Sequence, residues 1–293
     1  MHYLILCILS STGIFVVFKF LDRKDVLPFP VIVINYLIAS LFGFLINSAD
    51  FSLKSIISQP WLPISFLIGV LFIVLFFVIA RSSRVAGISV TTVASKMSVV
   101  FPIIFSMLID SSDVLTLTKL LAIIIALIGV LLTVYTPSSN SVLMKKITLP
   151  LILFIGMGIV DSLVKFAQHQ YVENSDKALF SAVLFFIAFL TGILILPFKK
   201  GMIGHFKKAA TWFWGIVLGI VNFGSIYLLV SALNHVNNNE IRTDSSVIFG
   251  LNNIGIVGLS ILVGLLIFSE KLKLINWIGI ALSVVSILLF TIA

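Results

Sequence analysis

The chain has 293 residues, 60% hydrophobic and only 10% charged, with a mean hydropathy of +1.24 and a formal net charge of +8. A soluble domain carries roughly 25% charged residues to cover its core, so water is excluded as the solvent for most of this surface. The basic excess does not indicate a nucleic-acid partner, because the Lys and Arg lie in short clusters between apolar runs instead of on one face. A single cysteine, Cys7, excludes a disulfide framework or a CxxC metal site.

In chain order, apolar runs long enough to span a bilayer cover roughly 2–20, 29–47, 61–80, 85–109, 115–135, 148–170, 178–197, 211–233, 245–268 and 274–292. The first run follows Met1 without a basic segment or a small-residue cleavage site and reads as a retained helix. Backbone groups in hydrocarbon must be satisfied internally, so these runs are expected to be helices. Their boundaries are set by Pro28 and Pro30, Pro60 and Pro63, Pro137 with Ser138-Ser139-Asn140, Pro197, and Asn237-Asn238-Asn239. Trp61, Trp212, Trp214 and Trp277 fall at predicted helix starts, where interfacial anchors belong. No connection exceeds about 15 residues, so any activity must lie between the helices.

The two halves resemble each other. Asp113-Val114-Leu115 opens one late apolar run and Glu270-Lys271-Leu272 opens the last; Phe18-Lys19-Phe20 matches Val164-Lys165-Phe166 near the starts. Division at the polar stretch gives a first half over 1–136, a linker over 137–147 and a second half over 148–293, with five spans each. An odd number of spans per half places the halves in opposite orientations, an inverted repeat of the kind found in secondary transporters.

With about ten spans in two sets of five, Ser112-Asp113-Val114-Leu115 and Ser269-Glu270-Lys271-Leu272 before the last helix of each half, and Phe101-Pro102-Ile103-Ile104-Phe105 in the fourth span, the chain resembles the EamA-like members of the drug/metabolite transporter superfamily. The resemblance covers the whole chain. It implies an all-α membrane protein that moves a small organic solute or metabolite by alternating access. No ATP hydrolysis, enzymatic activity or cofactor is implied. The expected location is the plasma (inner) membrane, and the expected partners are the bilayer and a small-molecule solute, for a monomer or homodimer.

Of nineteen Lys and Arg, only Lys96 and Lys165 fall well inside spans, and of eleven acids only Asp161 does. A charge at a helix centre costs about 2.5–3.5 kcal/mol on insertion scales, so each is a functional candidate. Ser89, Thr92 and Lys96 share a helical stripe. Aligning Asp113 with Glu270 sets Lys96 opposite Asn253, beside Asn252. Lys96, Asp161, Asn252, Asn253 and Thr92 are therefore the predicted substrate-binding residues. Asp161 and Lys165, four residues apart on one helical face, are candidates for ion coupling. Structural pairing of Lys96 with Asp161, and snorkelling of Lys165 to the interface, are the alternatives. Asn35 and Asn222 read as interhelical hydrogen-bond partners, and Gly156, Gly158, Gly215 and Gly219 as packing positions. Asp113 and Glu270 read as charges at helix N-termini.

Signatures of enzymes are missing: the four histidines form no HExxH, and there is no GxSxG or P-loop. An intramembrane lipid enzyme and a channel are the alternative functions. Orientation is contradictory at this level. The odd-numbered connections carry thirteen Lys and Arg and the even-numbered four, which sets both termini outside by the positive-inside rule. The family resemblance implies cytoplasmic termini instead.

Overall fold

The computed structural model describes residues 2–47, 52–109, 116–135, 141–172, 176–199, 201–234 and 245–292. Asp113, most of the polar stretch before Ser141, and Asn237-Asn238-Asn239 lie outside these residues. The α-helices are α1 (His2–Arg23), α2 (Pro28–Ile46), α3 (Leu53–Ile57), α4 (Leu62–Val85), α5 (Ile88–Met97), α6 (Val100–Ile109), α7 (Leu117–Val134), α8 (Ser141–Gln170), α9 (Lys177–Ile195), α10 (Ala209–Asn234), α11 (Ser245–Leu266) and α12 (Leu274–Ile292). Among the described residues there is no strand. Among the described residues, eight segments are long and apolar enough to cross a membrane, with α5 and α6 together forming one of them; α11 and α12 contain shorter apolar stretches. Leu45, Leu194, Phe198, Leu266 and Leu274 are each at least 70% exposed. So much uncovered apolar surface is suited to lipid and not to water.

Three differences from the sequence expectation have physical causes. The fourth span is broken into α5 and α6 at Ser98 and Val99. Pro102 has no N–H to give to the Ser98 carbonyl four residues back, and its ring crowds that carbonyl. Phe101 donates to the Ser98 oxygen instead, at 2.9 Å. Residues 141–147, predicted as linker, open α8. Trp61 is fully buried against Phe180, with ring centroids 5.5 Å apart, so it is a core residue and not an interfacial anchor. Trp212 and Trp277 are exposed near the starts of α10 and α12 as expected.

The larger core gathers α1, α2, α4, α9 and parts of α8 and α10 around Phe18, Tyr36, Phe180 and Phe185. Tyr36 donates its hydroxyl to the Phe72 carbonyl at 2.9 Å, satisfying the one polar atom it brings into this core. Gly215 and Gly219 lie against Ile34 and Ile38, so α10 approaches α2 closely. Gly156 meets Leu75 and Gly158 meets Phe101, which seats α8 against α4 and α6. The second core runs through α5, α7, α11 and α12. Within it α7 and α12 cross where a Cβ on Gly129 would stand 3.0 Å from the Gly279 carbonyl oxygen. Asn276 joins the two ends: its side-chain oxygen accepts from Lys273 N–H at 3.0 Å, and its amide donates to the Thr133 and Tyr135 carbonyls at 2.9 Å each. Those carbonyls are the unpartnered end of α7.

Side-chain contacts gather the first, third, seventh and ninth connections at one end of the bundle. Arg84 pairs with Asp22 at 2.7 Å, Arg23 donates to the Ile267 carbonyl at 3.1 Å, and Lys199 lies over the rings of Phe29 and Phe77. This end is called the basic end below.

Candidate functional site

The break between α5 and α6 places three polar residues together. Lys96 sits in the last turn of α5, Ser98 at the break, and Asp161 on the facing helix α8. Ser98 Oγ donates to Asp161 Oδ2 at 3.0 Å and also lies 2.6 Å from the Ser95 carbonyl oxygen. Lys96 and Asp161 feel each other's charge, yet their charged ends are farther apart than the 4.0 Å of an ion pair. The Lys96 ammonium forms no hydrogen bond or ion pair with any described residue. Both side chains keep part of their surface accessible although protein surrounds them.

Of the remaining predicted residues, Thr92 lies on α5 itself, Asn252 and Asn253 on α11, and Lys165 on α8. Helix α5 packs on α11, which carries Asn252 and Asn253, as well as on α8. Thr92 is fully buried, Asn252 is 3% exposed, and neither Thr92 Oγ1 nor Asn252 Oδ1 has a hydrogen-bond partner among the described residues. The Thr12, Ser83 and Ser260 hydroxyls and Trp61 Nε1 share this state, so what distinguishes Thr92 and Asn252 is their place on the Lys96 helix and on the helix packed against it. Lys165 is exposed one turn beyond Asp161, and the cation that faces Asp161 is Lys96.

The polar seam continues beyond the predicted residues. Cys7 on α1 lies within electrostatic reach of Lys96 and donates its thiol to the Ser225 carbonyl at 3.2 Å. One turn earlier on α10, Asn222 donates to Asn35 Oδ1 on α2 at 3.1 Å, the interhelical bond expected from the sequence. Ser98 and Cys7 were not anticipated. Ser98 could have been found from Pro102, since a proline strains the carbonyl four residues before it. Nothing in the sequence marks Cys7, an apolar-like residue in an apolar run. Among the described residues no three His, Cys, Asp or Glu side chains converge as metal ligands would.

Glu270 differs from its sequence reading in one respect: it serves an N-terminus, but not that of its own helix. Its Oε1 accepts from Ile88 N–H at 2.6 Å, and its Oε2 accepts from Ser89 N–H at 3.2 Å and Ser89 Oγ at 2.9 Å. The carboxylate thus caps α5, while α12 starts only at Leu274. A carboxylate at this place meets both the unpartnered amides and the positive end of the helix dipole.

No family model matches the chain. An uncharacterized protein of Haemophilus influenzae is 29% identical over 298 residues, covering 98% of this chain and 96% of that protein. A crystal structure with 15% sequence identity superimposes with a TM-score of 0.57, over 97% of this chain and 98% of the other. That likeness concerns the fold alone.

Proposed function

We propose that the chain is a secondary carrier of the EamA-like, drug/metabolite type. In this reading ten membrane-crossing segments form two inverted five-helix halves in the plasma membrane, and a small organic solute passes between them. Packing of α7 on α12 supports the inverted repeat. The alignment that pairs Asp113 with Glu270 also exchanges Ala122 with Gly279 and Gly129 with Ser286. The contact of Gly129 with Gly279 and the Ser286 hydroxyl donating to the Ala122 carbonyl at 2.8 Å are therefore counterparts of each other. The same alignment sets Ile88, the first residue of α5, opposite Ser245, the first residue of α11.

The observation that carries the functional reading is the pair of opposite charges at the α5–α6 break that face each other without closing into an ion pair. A purely structural pair would close, because a buried charge left without its partner is destabilising. A solute with an anionic group for Lys96 and a cationic or hydrogen-bond-donating group for Asp161 fits between them, with Thr92, Asn252 and Asn253 alongside. Breaks of this kind in membrane helices supply free backbone dipoles at transporter sites.

Counterflow into proteoliposomes tests the reading. A carrier gives saturable exchange that falls in Lys96→Ala and Asp161→Asn proteins that still insert. Non-saturable flux would indicate a channel, and turnover of a lipid without solute flux an enzyme. Normal exchange in both variants would sink the site.

A further inference from the structure

The Glu270 carboxylate ties together elements that alternating access would have to separate, and this has a consequence for how the carrier opens. Glu270 comes from the connection between α11 and α12, in the second half of the chain. Its partners come from the first half: the two N–H groups that open α5, the Ser89 hydroxyl, and Lys19 of α1, whose Nζ stands 3.6 Å from Glu270 Oε1. Lys19 also donates to the Ser83 carbonyl at the end of α4, at 3.1 Å. One carboxylate therefore holds α1 and α5 to the α11–α12 connection, and Lys19 extends the link to α4.

The backbone is shaped around this carboxylate. A Cβ on Gly87 would fall 2.7 Å from Glu270 Oε1, and one on Gly264 would fall 2.7 Å from Oε2. Gly87 also takes φ +94°, where side chains are strained. Ser269 adopts φ +54° directly before Glu270, and the Glu270 N–H returns to the Gly264 carbonyl at 2.9 Å. Around this point Arg84 pairs with Asp22, and Arg23 both donates to the Ile267 carbonyl and stacks 4.6 Å from the centroid of Phe268. All of it lies at the basic end, two helical turns along α5 from Lys96.

We propose that Glu270, Lys19 and the N-terminus of α5 with Ser89 form the gate that shuts the basic end of the carrier, and that access to Lys96 from that end requires Glu270 to leave α5. The Lys19–Glu270 pair is nearly buried, with side-chain exposures of 16% and 9%, so it holds in the absence of solvent screening. Its parts recur in the other half of the sequence, where Lys165 stands opposite Lys19 and Ser246 opposite Ser89. An inverted repeat would use such counterparts at opposite faces.

The test is accessibility of a cysteine placed behind the gate. Cys7 is the one cysteine of the chain, so a Cys7→Ser background carrying Thr92→Cys has a single reporter, one turn from Ser89 toward Lys96. A membrane-impermeant maleimide is applied to one face of sealed vesicles of each orientation. Glu270→Ala is expected to raise labelling from the basic face at least about tenfold, a shift of the open population worth roughly 1.4 kcal/mol. Lys19→Gln and Ser89→Ala, which each remove one of the partners of the Glu270 carboxylate, are expected to give smaller rises and serve if Glu270→Ala does not fold. Lys165→Ala is expected to leave basic-face labelling at or below the parent value. Unchanged basic-face labelling in folded variants would overturn the gate, as would an equal rise from both faces, which means general loosening.

This inference rests on the alternating-access reading, but labelling needs no identified solute, so the two can fail separately. One-sided opening in a protein that carries no solute would leave the gate standing and remove the carrier. Flux without any change in labelling would remove the gate alone.

Discussion

The basic end of the bundle and its middle treat charge in opposite ways. At the basic end Lys19, Asp22, Arg23, Arg84 and Glu270 all have partners, and the backbone turns through positive φ to let the Glu270 carboxylate reach two amides. In the middle, among the described residues, the Lys96 ammonium has no partner within bonding distance and the Asp161 carboxylate is bonded only by the Ser98 hydroxyl. A folding chain gains nothing from the second arrangement, since a charge kept out of water without a partner is a net cost. In the proposed reading, the contrast separates groups held for stability from groups kept available for a solute.

Substitutions in the two regions should therefore have opposite signatures. The largest effect on solute exchange is expected at the middle: Lys96→Ala and Asp161→Asn each reduce it by about ten- to a hundredfold, matching the loss of one charge-assisted hydrogen bond. The melting temperature of Lys96→Ala should hold, because no side-chain hydrogen bond or ion pair of Lys96 is lost with it. At the basic end Glu270→Ala should lower stability by about 3–5 kcal/mol in a denaturant titration, since Lys19 and two amides lose their partner together. Asn276→Ala is expected to cost about 2 kcal/mol by the same measurement, for the exposed end of α7 loses its two closest donors. The smallest effect is expected for Ser98→Ala. It should weaken exchange by only about two- to tenfold with little change in stability, because the Ser98 hydroxyl positions Asp161 and does not itself carry charge. A Lys96→Ala protein that unfolds, or a Glu270→Ala protein as stable as the parent, would erase the distinction.

The helical organisation was legible because lipid imposes one requirement on the chain: long apolar runs whose backbone bonds are internal. The predicted spans for α2, α7, α9 and α12 end within two residues of the helices formed. Asn35 with Asn222 and the Gly215–Gly219 pair were legible for the same reason, since a polar or absent side chain in an apolar helix has few uses besides packing. What the sequence concealed depends on long-range geometry. Glu270 looked like a cap for the helix that follows it, but it reaches α5 across 182 positions. Trp61 has the sequence position of an interfacial anchor and a place in the core that only tertiary packing sets. The break at Ser98 was present in the sequence as Pro102, yet its value lies in where Asp161 of another helix meets it.

The most direct measurement of the central claim is a ligand-induced thermal-shift screen in detergent. Amino acids, nucleosides, sugars and cationic drugs would be run against the parent protein, Lys96→Ala and Asp161→Asn. A bound ligand stabilises the folded state in proportion to the logarithm of its concentration over its dissociation constant. The account predicts that solutes bearing both an anionic and a cationic or donating group raise the parent's melting temperature, and that each variant loses the shift. A solute that stabilises all three proteins equally would place the binding site elsewhere and contradict the account.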